Sequence, residues 1–171
     1  MLFYALAPRP ELQMQLRDEI KTAGIITLLN DEERVLTEGV AAERLGNLVL
    51  MDACINETMR LYPSIPSGGA RQTTSTRIQI GNHWIPPDTV VVAPRWSIGR
   101  LESAFEKATE FIPERWTTMP HMVQDTRAFN PFSMGRHSCP GKQLGLFEIR
   151  IVAVMILANF TFTFAPGKKS S

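Results

Sequence analysis

The segment richest in chemistry is Phe132-Ser133-Met134-Gly135-Arg136-His137-Ser138-Cys139-Pro140-Gly141, which sets one cysteine at the N-terminal edge of an expected helix. Free backbone N–H groups and the positive end of a helix dipole favour thiolate over thiol at such a place, and thiolate is the form that ligates a metal. Gly135 permits a tight turn with positive φ. Gly141 and Gly145 lie one helical turn apart and leave a strip without side chains, against which a flat, bulky cofactor could lie. Read residue by residue, the same segment also suits a buried free cysteine near a helix start, with glycines serving as caps and turns.

A second constellation is Glu57-Thr58-Met59-Arg60, just ahead of Pro63 and 79 positions before Cys139 when counted from Arg60. Glu and Arg three apart share a helical face, and on an exposed helix such a pair contributes only ~0.2 to 0.5 kcal/mol. Arg71 follows Pro66-Ser67-Gly68-Gly69-Ala70 and reads on its own as a surface arginine at a strand start. His83 and His121 have no companions at ligand spacing, so zinc is disfavoured. Cys54 lies one turn before Glu57 and reads as core, as do Trp84, Trp96 and Trp116.

The elements that must position these residues follow from proline placement, because proline is poorly tolerated inside helices. None lies between Pro10 and Pro63 or between Pro140 and Pro166, so helices are expected on both sides of a loop-rich middle. Pro10 suits a first helical position, Leu12, Leu16 and Ile20 recur at four-residue spacing, and Gly24 offers a stop. A second helix is expected from Asn47 as N-cap to Tyr62, with Leu48, Met51, Ile55 and Met59 as its apolar stripe, and residues 31–34 as a solvated connection before it. In the middle, Arg77 to Ile80, Gly81-Asn82 and His83 to Ile85 suggest a hairpin, and Thr89 to Ala93 a further strand. The closing helix should run from Pro140 or Gly141 to about Asn159. Phe160, Phe162 and Phe164 alternate with threonine as a short strand would, and Lys168 to Ser171 read as a disordered tail.

Composition narrows the function classes. The chain has 171 residues, 44% apolar and 20% charged, with a formal net charge of +1. That balance fits one globular domain and gives no electrostatic reason to bind nucleic acid. Two cysteines without a C-x-x-C pair argue against a disulfide framework or a structural zinc cluster. No segment reaches the ~20 apolar residues of a bilayer span, and the opening residues are too short for a secretory signal.

Phe132, Gly135, Cys139 and Gly141 match in register the pattern Phe-x-x-Gly-x-Arg-x-Cys-x-Gly, and the chain resembles the cytochrome P450 family through it. Leu144, Gly145 and Glu148 continue the likeness on the following helix. Glu57-Thr58-Met59-Arg60 resembles the family's Glu-x-x-Arg helix, and Phe111-Ile112-Pro113-Glu114-Arg115-Trp116 resembles its Pro-Glu-Arg motif. The resemblance implies that Cys139 is the axial thiolate ligand of the iron of haem b, with Phe132, Gly135, His137, Gly141 and Arg71 around the cofactor. It makes Glu57, Arg60 and Arg115 a buried scaffold cluster, not catalysts. One departure stands out: His137 occupies the place where the pattern has arginine, with Arg136 one position earlier.

The fold this implies is mainly α with a small antiparallel β portion, the C-terminal section of the cytochrome P450 fold. Residues 1–171 are expected to form a single partial domain, without the N-terminal portion and the central oxygen-activating helix. The wording around Pro66, Pro131 and Cys139 resembles the fungal secondary-metabolism branch. The activity implied is a haem-thiolate monooxygenase that inserts one oxygen atom from O2 into an organic substrate, with electrons from a NADPH-dependent reductase that Arg136 and Lys142 could help to dock. The alternative is a non-catalytic haem-binding fragment or truncated product. A full-length relative is expected at the endoplasmic reticulum membrane.

Overall fold

The computed structural model of the chain describes residues 1–29, 33–36 and 42–167. α1 (Leu2–Leu6) leads into α2 (Pro10–Thr22). Pro10 opens α2 where its missing N–H costs nothing, and Gly24 at φ +65° takes the left-handed conformation that ends it. α2 buries Leu16 and Ile20 as expected, but Gln13 and not Leu12 is the third buried residue of its inner face. β1 (Ile26–Leu29) and β2 (Glu33–Leu36) pair antiparallel, with Ile26 opposite Leu36. No strand is expected here from the sequence. Asp31 and Glu32 of the expected connection lie outside the described residues, whereas Glu33 and Arg34 belong to β2. The aliphatic and β-branched run from Ile25 to Leu29 is what favours extended backbone.

α3 (Ala42–Gly46) precedes α4 (Val49–Leu61), which buries Met51, Cys54 and Ile55 of the expected core together with Glu57 and Arg60. The start of α4 corrects the expected Asn47 cap. The N–H groups of Leu50 and Met51 donate to the two carboxylate oxygens of Glu19 on α2, at 2.7 and 2.9 Å. A carboxylate there satisfies two orphan donors and faces the positive end of the helix dipole.

Contacts divide the chain into two compact units. The first comprises Met1–Thr58, Phe111–His121 and Phe132–Ser171; the second comprises Met59–Glu110 and Met122–Pro131. The second unit holds β3 (Ala70–Gln72), β4 (Ile78–Ile80), β5 (His83–Ile85), β6 (Val90–Val92) and the short α5 (Arg95–Ile98). β3 pairs antiparallel with β6, and β4 with β5 across the expected turn, where Gly81 sits at φ +57°. Arg77 stacks on Trp84 across that hairpin, 4.5 Å from the ring centre.

In the first unit α6 (Lys142–Asn159) buries Ala153, Val154, Leu157 and Ala158 in its last turns. Ahead of these, Leu146, Phe147 and Ile151 are half-buried, whereas Leu144 and Val152 are exposed, at 62% and 48%. The strand expected at Phe160 to Phe164 does not form. Gln13 brackets Phe162 instead, its Nε2 donating to the Phe162 carbonyl at 2.9 Å and its Oε1 accepting from the Phe162 N–H at 3.2 Å. A side-chain amide thus satisfies the backbone groups that a neighbouring strand would have taken. Phe162 and Phe164 meet Phe3 and Tyr4 edge to face, at 5.5 and 5.3 Å between ring centres. The described residues therefore form a mainly helical structure with three two-stranded antiparallel sheets, consistent with a segment of the cytochrome P450 fold that the sequence suggests.

Candidate functional site

The cysteine segment folds as a closed loop ahead of α6. The Cys139 N–H donates to the Phe132 carbonyl at 2.8 Å and the Ser138 N–H to the Gly135 carbonyl at 3.0 Å, so Phe132 to Cys139 is a bonded turn. Gly135 takes the expected positive φ, +66°, and Ser133 takes +62° as well. Gly141 is the residue just before α6, and the Gly145 N–H bonds back to its carbonyl at 2.8 Å. The Cys139 thiol is exposed, two residues ahead of Gly141, which rules out the core-cysteine alternative for this residue.

The surroundings of the thiol have a particular shape. A Cβ at Gly141 would stand 3.8 Å from the Cys139 sulfur, in ordinary contact, whereas at Gly135 or Gly145 it would meet nothing within 4 Å. Open space thus borders the loop on the glycine side. Among the described residues no group of three or more His, Cys, Asp or Glu side chains gathers to chelate a bare ion. A single exposed thiol beside glycines that leave room has the donor chemistry and the space for a metal that brings its other ligands with it, so these residues fit a haem. Next in the loop, Arg136 Nε lies 3.2 Å from His137 Nε2, and both side chains are exposed.

Glu57 and Arg115 form the pair that the motifs suggest, with both side chains fully buried. Arg115 Nε donates to Glu57 Oε1 at 3.0 Å, the Ile112 N–H reaches the same oxygen at 2.9 Å, and Trp116 Nε1 reaches Oε2 at 3.0 Å. Pro113 starts the 3₁₀ turn over Pro113–Trp116 that delivers Arg115 and Trp116 together. In the second unit Arg60 donates to the carbonyls of Gly99, Ala108 and Glu110 and stacks on Phe105, 5.0 Å from its centre. Gly99 has no room for a side chain, because a Cβ there would be 2.5 Å from the Arg60 carbonyl. Arg71 also belongs to the second unit, exposed on β3 with its Nη1 bonded to the Ala70 carbonyl at 2.8 Å.

Cys54 is the opposite of Cys139. It is buried, and burial, reinforced by Glu114, Glu19 and Glu57, pushes its pKa up to about 12. Sequence reasoning missed the polar links that tie the helices of the first unit together. Besides the Glu19 cap, Arg17 on α2 donates to the Leu157 and Phe160 carbonyls at the end of α6, at 2.9 and 3.0 Å. Asp52 on α4 and Arg150 on α6 make two parallel bonds of 2.7 and 2.8 Å. These pairs lie 98 to 143 residues apart and leave no local spacing to find. Trp116 as a donor to Glu57 had a partial signal, since it follows directly on the Pro-Glu-Arg motif.

Comparison with known proteins agrees with the loop geometry. The family model of cytochrome P450 matches residues 1–171. The chain is 44% identical over 131 residues to the cytochrome P450 monooxygenase orf5 of Eupenicillium brefeldianum, covering 77% of this chain and 27% of that protein. It is 41% identical over 164 residues to the cytochrome P450 monooxygenase FCK2 of Fusarium pseudograminearum, covering 96% of this chain and 28% of the relative. It is also 38% identical over 126 residues to the tryprostatin B 6-hydroxylase of Aspergillus fumigatus, covering 74% and 22%. The similarity to fungal monooxygenases of secondary-metabolism clusters suggested by the sequence is thus found, and the chain spans under a third of the length of these relatives. With the bonded cysteine loop, the buried Glu57–Arg115 pair and a family match across every residue, the chain belongs to the cytochrome P450 family.

Proposed function

We propose that this chain carries the thiolate half of a haem monooxygenase site, with Cys139 as the iron ligand. The observation that carries the reading is the loop itself: an exposed thiol held by the Cys139 to Phe132 bond, ahead of a helix start and beside glycines with open space at their Cα atoms. Haem b, when bound, would supply redox chemistry at iron, and a thiolate from Cys139 would tune that iron by donating electron density. The chain's own part is to present the sulfur and hold it still. Phe132 receives the Cys139 N–H, Gly135 makes the turn, and Gly141 keeps the side of the sulfur free of bulk.

His137 and Arg136 stand exposed in the same loop, where they would be the residues to hold propionate carboxylates of a bound haem. For Arg71 the role of a second cationic contact rests on the family resemblance alone. Arg136 and Lys142, both exposed, give the loop positive charge for docking a NADPH-dependent reductase. The substrate is a small organic molecule that receives one oxygen atom, and a full-length relative is expected at the endoplasmic reticulum membrane. No helix among the described residues is long and apolar enough to cross a membrane.

The test is a reconstitution of the haem-loaded chain with a NADPH-dependent reductase, NADPH, isotopically labelled O2 and a panel of bulky organic substrates. Label in a product, lost in Cys139→Ala, supports the monooxygenase. Consumption of NADPH with no labelled product supports the second reading, a haem-binding module without catalysis. The exposed apolar residues early in α6 favour that second reading for this chain by itself.

A further inference from the structure

We propose that Asp52 and Arg150 are a positioning pair for Cys139: a carboxylate on α4 and a guanidinium on α6 whose two bonds fix where α6 presents the thiol. The proposal rests on the reading of Cys139 as the iron ligand. Arg150 Nε lies 2.7 Å from Asp52 Oδ1 and its Nη2 2.8 Å from Oδ2. Two parallel bonds between planar groups set distance, plane and rotation together, which one point contact does not. The Arg150 side chain is 18% exposed and that of Asp52 30%, so water and salt screen the pair far less than a surface pair. The hydrogen bonds that Arg150 donates to Asp52 outweigh its lost hydration and hold it more firmly protonated than usual.

Both partners stand at places suited to this task. Asp52 is in the first turn of α4, next to Leu50 and Met51, whose N–H groups Glu19 clamps, so the carboxylate projects from fixed backbone. Arg150 sits between the Cys139 loop and the buried end of α6. Fully buried side chains on α6 begin at Ala153, and Arg17 ties the far end through Leu157 and Phe160. Apolar packing therefore holds the distal half of the helix. Ahead of it, on the side of Cys139, the Asp52–Arg150 fork is the polar link of the described side chains of α6 to another helix. Released, α6 stays attached at its end while its N-terminal edge gains freedom to turn, and the thiol moves with it.

The experiment compares the haem-loaded chain with Asp52→Asn, Arg150→Met, the double variant and Arg150→Lys. Three quantities are read: haem content, melting temperature, and the ratio of thiolate-type to non-thiolate species in the reduced, carbon-monoxide-bound spectrum. The expected result is a fall in that ratio of about fivefold in each single variant, the equilibrium equivalent of one ion pair. The double variant should match the singles, and lysine, which keeps the charge but loses the fork, should fall between. A lowered melting temperature with an unchanged ratio overturns the proposal, because the pair would then be merely structural. Additive effects in the double variant overturn it as well. If Asp52→Asn and Arg150→Met do not fold, the ratio in Arg150→Lys decides in the same way. A wild-type chain with no thiolate signal is a separate failure, that of the ligand reading itself.

Discussion

Replacing Arg115 by methionine tests the Glu57 cluster most sharply. Methionine keeps much of the arginine stem volume, so the loss of packing is small and the loss of charge is isolated. Both side chains are fully buried, and Glu57 is left with a negative charge whose guanidinium partner at 3.0 Å has gone. The Ile112 N–H at 2.9 Å and Trp116 Nε1 at 3.0 Å still donate, but neither brings a positive charge. Stranding one member of a buried pair costs ~3 to 5 kcal/mol. Trp116→Phe, which removes one bond to a charged acceptor, should cost less, about 1.5 to 3 kcal/mol. The assay is urea unfolding of the chain followed by circular dichroism, with Glu57→Gln, Arg115→Met and the double variant closing a thermodynamic cycle. Because the double variant removes both charges, it should be more stable than Arg115→Met alone. A cost below about 1 kcal/mol for Arg115→Met, or a double variant as unstable as the sum of the singles, refutes a charge-compensated core here.

Three further outcomes follow from the same geometry. With Cys54 raised from 9.0 to about 12 in the folded chain, the unfolded state loses its proton first as pH climbs. Stability should therefore fall between about pH 9 and 12 by up to about 1.4 kcal/mol per pH unit, and Cys54→Ala should remove that part of the slope in a pH series of unfolding curves. Gly68 and Gly81 both have positive φ, but an added Cβ at Gly68 would lie 2.0 Å from the Ala93 carbonyl whereas at Gly81 it meets nothing within 4 Å. Gly81→Ala should then cost only about 1 to 2 kcal/mol of backbone strain, and Gly68→Ala clearly more in parallel melts; equal costs would contradict the close approach. His137→Arg should retain haem as well as or better than the parent chain in a dialysis assay, since a guanidinium can make two parallel bonds to a propionate. A sharp loss of haem would show that His137 makes another contact.

Most of what the sequence made legible was local. Pro10 and Gly24 bracketed α2, Gly81-Asn82 marked the β4–β5 turn, and the spacing from Phe132 to Gly141 carried the loop and the family at once. Such signals survive because backbone conformation at proline and glycine is decided within a few residues. What could not be read depends on partners far along the chain. Gln13 displaced a strand at Phe162, and Glu19, not Asn47, bonds the N–H groups of Leu50 and Met51 at the start of α4. The alternation of Phe160, Phe162 and Phe164 is real, yet it reports an extended segment whose rings pack on α1, and no ladder is needed for that. In the candidate site, Cys139, Gly135 and the Glu57–Arg115 pair were legible as motif positions. The Asp52–Arg150 link was not, because two charged residues 98 positions apart look like any others until the helices are packed.

The proposed function stands or falls with Cys139 as the thiolate ligand of a haem. Its most direct measurement is a haem titration of the purified chain, recording the reduced, carbon-monoxide-bound absorption spectrum beside Cys139→Ala. A thiolate-type spectrum that saturates near one haem per chain and disappears in the alanine variant is the result expected. Haem that binds equally well to both chains with the same spectrum, or that does not bind the parent chain at all, would contradict it.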